Sequence, residues 1–326
     1  HDREPQVIED RRVFITGGAG FIGSATAEKL LKFNYVTIFD NLHRGQFNDR
    51  LASHPGMQFI QGDILDTNAL ASAIGGHDII IHCAAIAGVD SVTRNPVLTM
   101  TTNMIGSANV LQASKENSEP EMVICLSTSE VFGPGAELVG EDSPTVIAPP
   151  GEPRWTYAAG KLAEEHLALA YLHQHQLPVA ILRPFNIYGP GQVGEGAIRN
   201  FVLQAISGKD LVLHGTGEQV RSWCFIDDMV EAILLSISTP EAVGKSFNIG
   251  NANTVISIRE LAELVVELSG SQSAILEGPA NKAEILVRSP RVDLARDVLG
   301  FEATVDLNEG ILRTIDRFTS DDRMIG

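Results

Sequence analysis

Hydroxyls and a carboxylate stand where an apolar strand should simply end. The run MVICL leads straight into Ser127, Thr128, Ser129 and Glu130, and Val131, Phe132 and Gly133 close the stretch. Further on, YAAGK places Tyr157 and Lys161 at i and i+4, on one face of a helix. An ammonium beside a phenol stabilises the phenolate and lowers the phenol's pKa. Such a tyrosine can take a proton from an alcohol near neutral pH, while the lysine reaches ribose hydroxyls of a cofactor. Read alone, Tyr-x-x-x-Lys describes many solvated helix faces, and Glu130 could equally cap a turn or pair locally. A third group of residues, upstream, favours the chemical reading.

The segment TGGAGFIG, Thr16 to Gly23, lies between an apolar strand and a helix, with Gly17, Gly20 and Gly23 in a GxxGxxG spacing. Glycines there permit a tight turn, let the backbone approach a pyrophosphate and let helix and strand pack closely. The helix N-terminus offers N–H donors to the anion. A plain tight turn is the alternative. Asp40 ends the second strand, where its carboxylate can accept from both ribose hydroxyls of an adenosine and would repel a 2′-phosphate. This favours NAD over NADP; Arg44 nearby is the residue that would favour NADP. Asp63, at the end of the third strand, could meet the adenine amine or cap the next helix. His82 to Ala85, HCAA, end the fourth strand in small residues, suited to a passing cofactor or to a tightly packed strand end.

These groups need a frame. VFITGG, YVTIFDN, MQFIQGD, DIIIHCAA, EMVICLSTS and VAILRPFN read as short apolar strands. Between them FIGSATAEKLLKF, TNALASAI, TMTTNMIGSANVLQASKEN and YAAGKLAEEHLALAYLHQHQ read as helices. Such alternation gives βαβ units and a parallel sheet covered on both faces, a doubly wound α/β fold. After Asn186 the texture changes to glycine-rich loops and shorter elements. Residues 12–186, rejoined by about 224–250 through CFIDDMVEAILLSI and KSFNIGN, form the cofactor domain, and 187–223 with 251–318 form a smaller lobe. The ligand belongs between them, at the carboxyl ends of the strands. Residues 1–11 read as a loose arm.

Composition excludes several roles. The 326 residues are 44% hydrophobic and 20% charged, ordinary for a globular chain. With 24 basic against 41 acidic residues, a net charge of −17 and no basic cluster, nucleic acid is not an expected partner. No apolar run approaches the roughly eighteen residues of a membrane span. Cys83, Cys125 and Cys224 form no CxxC pair, so neither a metal site nor a disulfide is expected, and reduced thiols fit a cytoplasmic protein.

Taken in order, TGGAGFIGS, Asp40-Asn41, HCAA, STSEVFG, YAAGK and RPFNIYGPGQ resemble the signature series of extended short-chain dehydrogenases/reductases that modify nucleotide sugars, from about Val13 to Phe318. The resemblance implies a Rossmann sheet with a smaller substrate-binding lobe. It implies NAD as cofactor, held by Gly17, Gly20, Phe21, Ile22, Gly23, Asp40, Asn41, Asp63, Ile64, Ala84, Ala85, Asn103, Tyr157 and Lys161. By the same resemblance Thr128 hydrogen-bonds the sugar's C4 oxygen, Tyr157 is the base, and C4 is oxidised transiently to a ketone. Ser129 and Glu130 occupy the places that differ between activities. Simple 4-epimerases carry small or neutral groups there, whereas 4,6-dehydratases and uronate decarboxylases carry an acid at the place of Glu130. A 4-ketone acidifies C5–H for dehydration and stabilises the enolate left by CO2 loss. Ser129–Glu130 is similar to the uronate decarboxylases and to some GDP-mannose dehydratases; other dehydratases carry Asp–Glu. Asn186, Arg221 and Arg288 match substrate-binding positions, the two arginines at a diphosphate, although either could be a surface ion pair. The expected partner is a nucleoside-diphosphate sugar and the expected assembly a homodimer. A 4-epimerase is the rival reading, and a redox-inert binding protein of the same fold the rival of another class.

Overall fold

The computed structural model describes residues 8–44, 49–280 and 285–320. Seven parallel strands form its main sheet: β1 (Arg12–Thr16), β2 (Tyr35–Asp40), β3 (Met57–Gln61), β4 (Ile79–His82), β5 (Met122–Leu126), β6 (Val179–Pro184) and β7 (Ser246–Ile249). Their spatial order is β3-β2-β1-β4-β5-β6-β7. Every neighbouring pair runs parallel. Period-2 alternation sends Val13 and Ile15 to one face and Phe14 to the other. The first two pack with Ile38, Ile81 and Ile124 under Met229 and Ile233. Phe14 packs with Phe39, Ile80 and Val123 under Leu111 and Ala168. Burial on both faces explains why these strands read as continuous apolar runs.

Strand order reverses between β1 and β4, which opens a crevice at their carboxyl ends. Helices α1 (Phe21–Leu30) and α3 (Trp155–His175) line its remaining walls, and α2 (Ser107–Asn117) packs against α3. The single long helix expected over Thr99–Asn117 is interrupted. Residues Thr101–Gly106 form a π-helical segment ahead of α2. There Asn103 turns inward and pairs with both backbone groups of Ile86, at 2.8 and 2.9 Å.

The second lobe has its own core around Tyr188, Phe201, Trp223, Leu261 and Phe318. Its four-stranded sheet orders Val255–Ser257, Val220–Ser222, Val287–Pro290 and Ala136–Val139. The two parts interleave more than boundaries at 186 and 251 imply. Ala136–Val139 departs from the first part to pair with Val287–Pro290, while Ala295, Leu299 and Phe301 return to pack with Phe247 against the main sheet. Of the expected loose arm, residues 1–7 lie outside the described residues. Residues 8–11 are fastened, with the Asn34 amide donating to the Ile8 carbonyl (2.8 Å) and Arg11 paired to Glu121 (3.0 Å).

Candidate active site

A cavity of about 500 Å³ occupies the crevice. Gly17 has φ +66°, and a Cβ there would stand 2.6 Å from the Ala84 nitrogen. A Cβ on Gly23 would stand 2.5 Å from the Gly17 carbonyl. Strand, turn and helix therefore approach as closely as glycine allows. The N-cap of α1, Gly20, offers no side chain to the helix's first amides, and Gly20, Phe21 and Ile22 line the cavity with Ala84 and Ala85. Those amides are free to donate to a pyrophosphate. Asp40 is oriented by the amides of Ala19 (3.0 Å) and Leu42 (2.8 Å) and faces the same cavity. Arg44 points its Nη2 at the Ser91 hydroxyl (2.8 Å), 3.9 Å from Glu195. These residues fit an adenine dinucleotide.

Asp63 accepts from the Asn41 amide (3.0 Å) and the Leu65 N–H (2.9 Å), beside Ile64 at the cavity wall. It does not cap the following helix; Asp66 does, accepting from Asn68 and Ala69. Asn103 departs from expectation. It is fully buried behind the wall and reaches the cavity only through Ile86, whose backbone it holds.

At the reacting end the hydroxyls of the opening motif divide their work. Ser127 donates to the Glu165 carboxylate, which Arg183 grips with Nε (2.9 Å) and Nη2 (2.6 Å). The Arg183 guanidinium lies 5.0 Å from the Phe132 ring centre. This bidentate clamp fixes the point where strand becomes turn. Thr128 is extended, and its hydroxyl accepts the Glu130 N–H (3.2 Å), capping the single 3₁₀ turn Ser129–Phe132. Thr128, Ser129, Glu130, Tyr157 and Lys161 all line the cavity. Burial pushes the Tyr157 phenol up, against the pull of Lys161 and of nearby Thr128 and with the push of Glu130. Burial also works against the Lys161 ammonium, yet the carboxylate of Glu164, at 2.8 Å, and then Tyr157 outweigh it, so its pKa is raised.

The two arginines expected at a diphosphate part company. Arg288 is buried at the cavity wall and reaches Glu130 with Nη1 (3.4 Å), while its Nε and Nη2 have no hydrogen-bond partner among the described residues. Arg221 stands off the cavity. Its guanidinium folds back to the carbonyl of Val220, the preceding residue, and to that of Ile285, both at 2.8 Å. Asn186 lines the cavity with φ +44°, its amide donating to the Ser222 carbonyl (2.7 Å). Glu164 and Glu195 escaped the sequence reading. Glu195 ties the loop after Gly189 to the helix Val89–Arg94, accepting from Asp90 N (2.8 Å) and Ser91 N (3.0 Å) across the cavity mouth.

The geometry has counterparts in known proteins. Residues 13–250 match the model of the NAD dependent epimerase/dehydratase family. The chain is 36% identical over 320 residues to the UDP-N-acetyl-alpha-D-glucosaminuronate decarboxylase of Bacillus cytotoxicus, covering 94% of this chain and 98% of that one. It is 32% identical to UDP-glucuronic acid decarboxylase 1 of Xenopus tropicalis, over 94% of this chain and 72% of the relative. Among solved structures, the dTDP-glucose 4,6-dehydratase of Streptomyces venezuelae, with NAD bound, superposes at TM-score 0.87 with 30% identity over 95% and 97% of the two chains. An epimerase of Methanothermobacter thermautotrophicus superposes at 0.90 with 26% identity over 97% and 94%.

Proposed function

The chain belongs to the NAD-dependent epimerase/dehydratase family, and from that premise we propose that it decarboxylates a uronic acid carried on a nucleoside diphosphate. The observation that carries this reading is Arg288. A buried guanidinium with two unpaired nitrogens, beside Glu130 and across from Tyr157, suits a substrate carboxylate. The sugar of a hexose awaiting dehydration brings no carboxylate to that cation, whereas that of a uronate does. The UDP-uronate decarboxylases among the relatives support the same class, with UDP as the nucleotide.

NAD is the cofactor, and when bound it takes a hydride from the sugar's C4 and later returns it. Tyr157 accepts the C4 hydroxyl proton, with Thr128 sharing the oxygen and Lys161 fixing the phenol. The resulting 4-ketone lies β to the carboxylate. The C5–carboxylate bond then breaks, its electron pair forming the enolate, and CO2 leaves. Glu130 then relays a proton from water to C5, Ser129 holds the sugar, and Tyr157 returns its proton to O4 as the ketone is reduced. Asn186 would steady the sugar at the entrance of the second lobe.

The test is product mass from a panel of UDP-linked glucuronate, N-acetylglucosaminuronate, glucose and N-acetylglucosamine. Loss of CO2 from a uronate is expected. Loss of water, or an isomer of unchanged mass, would overturn the reading in favour of a dehydratase or an epimerase.

We further propose a homodimer in a reducing, cytoplasmic setting. Val97, Leu98, Met104 and Ile105 expose apolar surface on one continuous segment, and the three cysteines are unpaired. Sedimentation at micromolar concentration should give twice the chain mass of 35.1 kDa.

A further inference from the structure

The carboxylate that partners Lys161 takes part in none of the steps above. Glu164 is 1% exposed and lies one helical turn beyond the lysine. Its Oε2 accepts from Lys161 Nζ (2.8 Å) and from the Ser107 hydroxyl (2.9 Å), and its Oε1 has no partner among the described residues. Ser107 Oγ lies 2.8 Å from His82 Nε2, and His82 Nδ1 lies 2.7 Å from Thr16 Oγ1. Thr16, His82 and Ser107 are completely buried. Ser107 Oγ also lies 2.7 Å from the Asn103 carbonyl, so its single hydroxyl proton is shared between that carbonyl and Glu164. Along the rest of the row Thr16 donates to Nδ1 and Nε2–H donates to Ser107. Burial, and then Lys161, hold His82 well below its usual value, so the imidazole is neutral as this assignment needs.

We infer that Glu164 is a positioning residue that holds Lys161 and tempers the pull of its ammonium on Tyr157. An unpaired ammonium one turn from a buried phenol would draw out the phenolate. With an anion 2.8 Å from that ammonium, part of its pull is offset at the tyrosine, where Lys161 acts the more strongly of the two. The other groups around the pair leave this balance intact. On the sheet side Lys161 faces Cys125, Cys83 and His82; burial pushes both thiols up, that of Cys83 to about 12, so they stay neutral. Tyr157 also faces Glu130 and Arg288, which pair with each other. Glu165, next along α3, is taken by Arg183 and Ser127. Two ion pairs thus flank the phenol.

The inference rests on Tyr157 being the base, but its deciding readout, a titration, uses neither substrate nor cofactor and so fails separately. Tyrosinate absorbance of the cofactor-free protein is followed against pH, with Tyr157→Phe as background. In Glu164→Gln the Tyr157 component should appear about 1 pH unit lower or more, and the acidic limb of the kcat profile should move with it. An unchanged or higher titration overturns the inference. Glu164→Asp is the second arm, informative even if the glutamine variant does not fold. It keeps the charge on a shorter stem, so Tyr157 should titrate as in the wild type while misplacement of Lys161 lowers kcat by about 10-fold or more. A downward shift in Glu164→Asp would overturn the inference by showing that shape, rather than charge, sets the phenol.

Discussion

Tyr157 and Glu130 serve different halves of the proposed reaction, so their removal should fail differently. Tyr157→Phe removes the proton acceptor for C4 oxidation. Turnover should fall about 10²–10⁴-fold while NAD binding, measured by calorimetry, persists; near-wild-type turnover would contradict the role. Glu130→Gln keeps Thr128, Tyr157 and Lys161, so C4 should still be oxidised but protonation at C5 should stall. On mixing with substrate, the near-ultraviolet band of reduced nicotinamide should build up with little product. A wild-type product rate would return Glu130 to a structural role as the partner of Arg288. The residues behind these predictions were legible because type and spacing together carried the chemistry: hydroxyls at a strand end, Tyr and Lys one turn apart, glycines at a strand–helix turn. Arg221 and Arg288 were legible only as arginines. Their strands pair in register at these two positions, yet one guanidinium folds onto backbone carbonyls and the other enters the cavity, a choice made by long side chains in tertiary context. Glu164 was hidden by its company. α3 buries Lys161, Glu164 and Glu165 alongside Gly160 and Ala168, so an inward acid looks, in sequence, like a break in an amphipathic pattern.

Among the elements, the βαβ rhythm was plain because both faces of the main sheet are covered and its strands are apolar throughout. The π-helical segment Thr101–Gly106 was not, because its hydrogen-bond register answers to a contact with Ile86 far away in the chain. Ala136–Val139 was equally opaque, four residues whose partner strand is recruited from Val287–Pro290. The turn at Gly17 and the cap at Asp66 offer a contrast in what an element does. Gly17→Ala forces φ +66° on a residue with a Cβ and drives it to 2.6 Å from the Ala84 nitrogen. Stability should drop by more than about 1 kcal/mol, and NAD affinity should fall with it because the cradle must open. Asp66→Ala removes a cap from the helix Thr67–Ile74 and should cost about 1 kcal/mol with NAD affinity unchanged. Urea unfolding and NAD titration of the two variants, side by side, check this; a loss of NAD affinity in Asp66→Ala would show that the cap also shapes the neighbouring Asp63.

For the molecule as a whole, buried imidazoles tie folding to pH. His77 sits beneath the main sheet, with Nε2 against the Thr37 hydroxyl (2.8 Å) and Nδ1 against the Ile74 carbonyl (2.9 Å). Burial lowers its pKa from 6.5, against the smaller pull of that carbonyl. Below pH 6.5 the unfolded chain therefore takes up a proton that the folded protein refuses, and stability falls as the medium becomes more acidic. His77 alone should contribute a slope of up to about 1.4 kcal/mol per pH unit, until pH reaches its folded-state value. His82 adds to the same trend, whereas Glu141 and Asp228, whose carboxyls burial pushes up, oppose it. The net curve of the wild type is consequently a poor measure of any one group, and a difference is needed. His77→Gln loses the titrating group along with hydrogen bonds worth about 1 kcal/mol. At pH 7.5 the wild type should be the more stable of the two. As pH falls from about 6.5 toward 5 its advantage should shrink, because only the wild type carries the protonation penalty. Urea denaturation of both proteins across that range measures the difference directly, and an advantage that stays constant with pH would mean that His77 takes its proton equally well folded and unfolded.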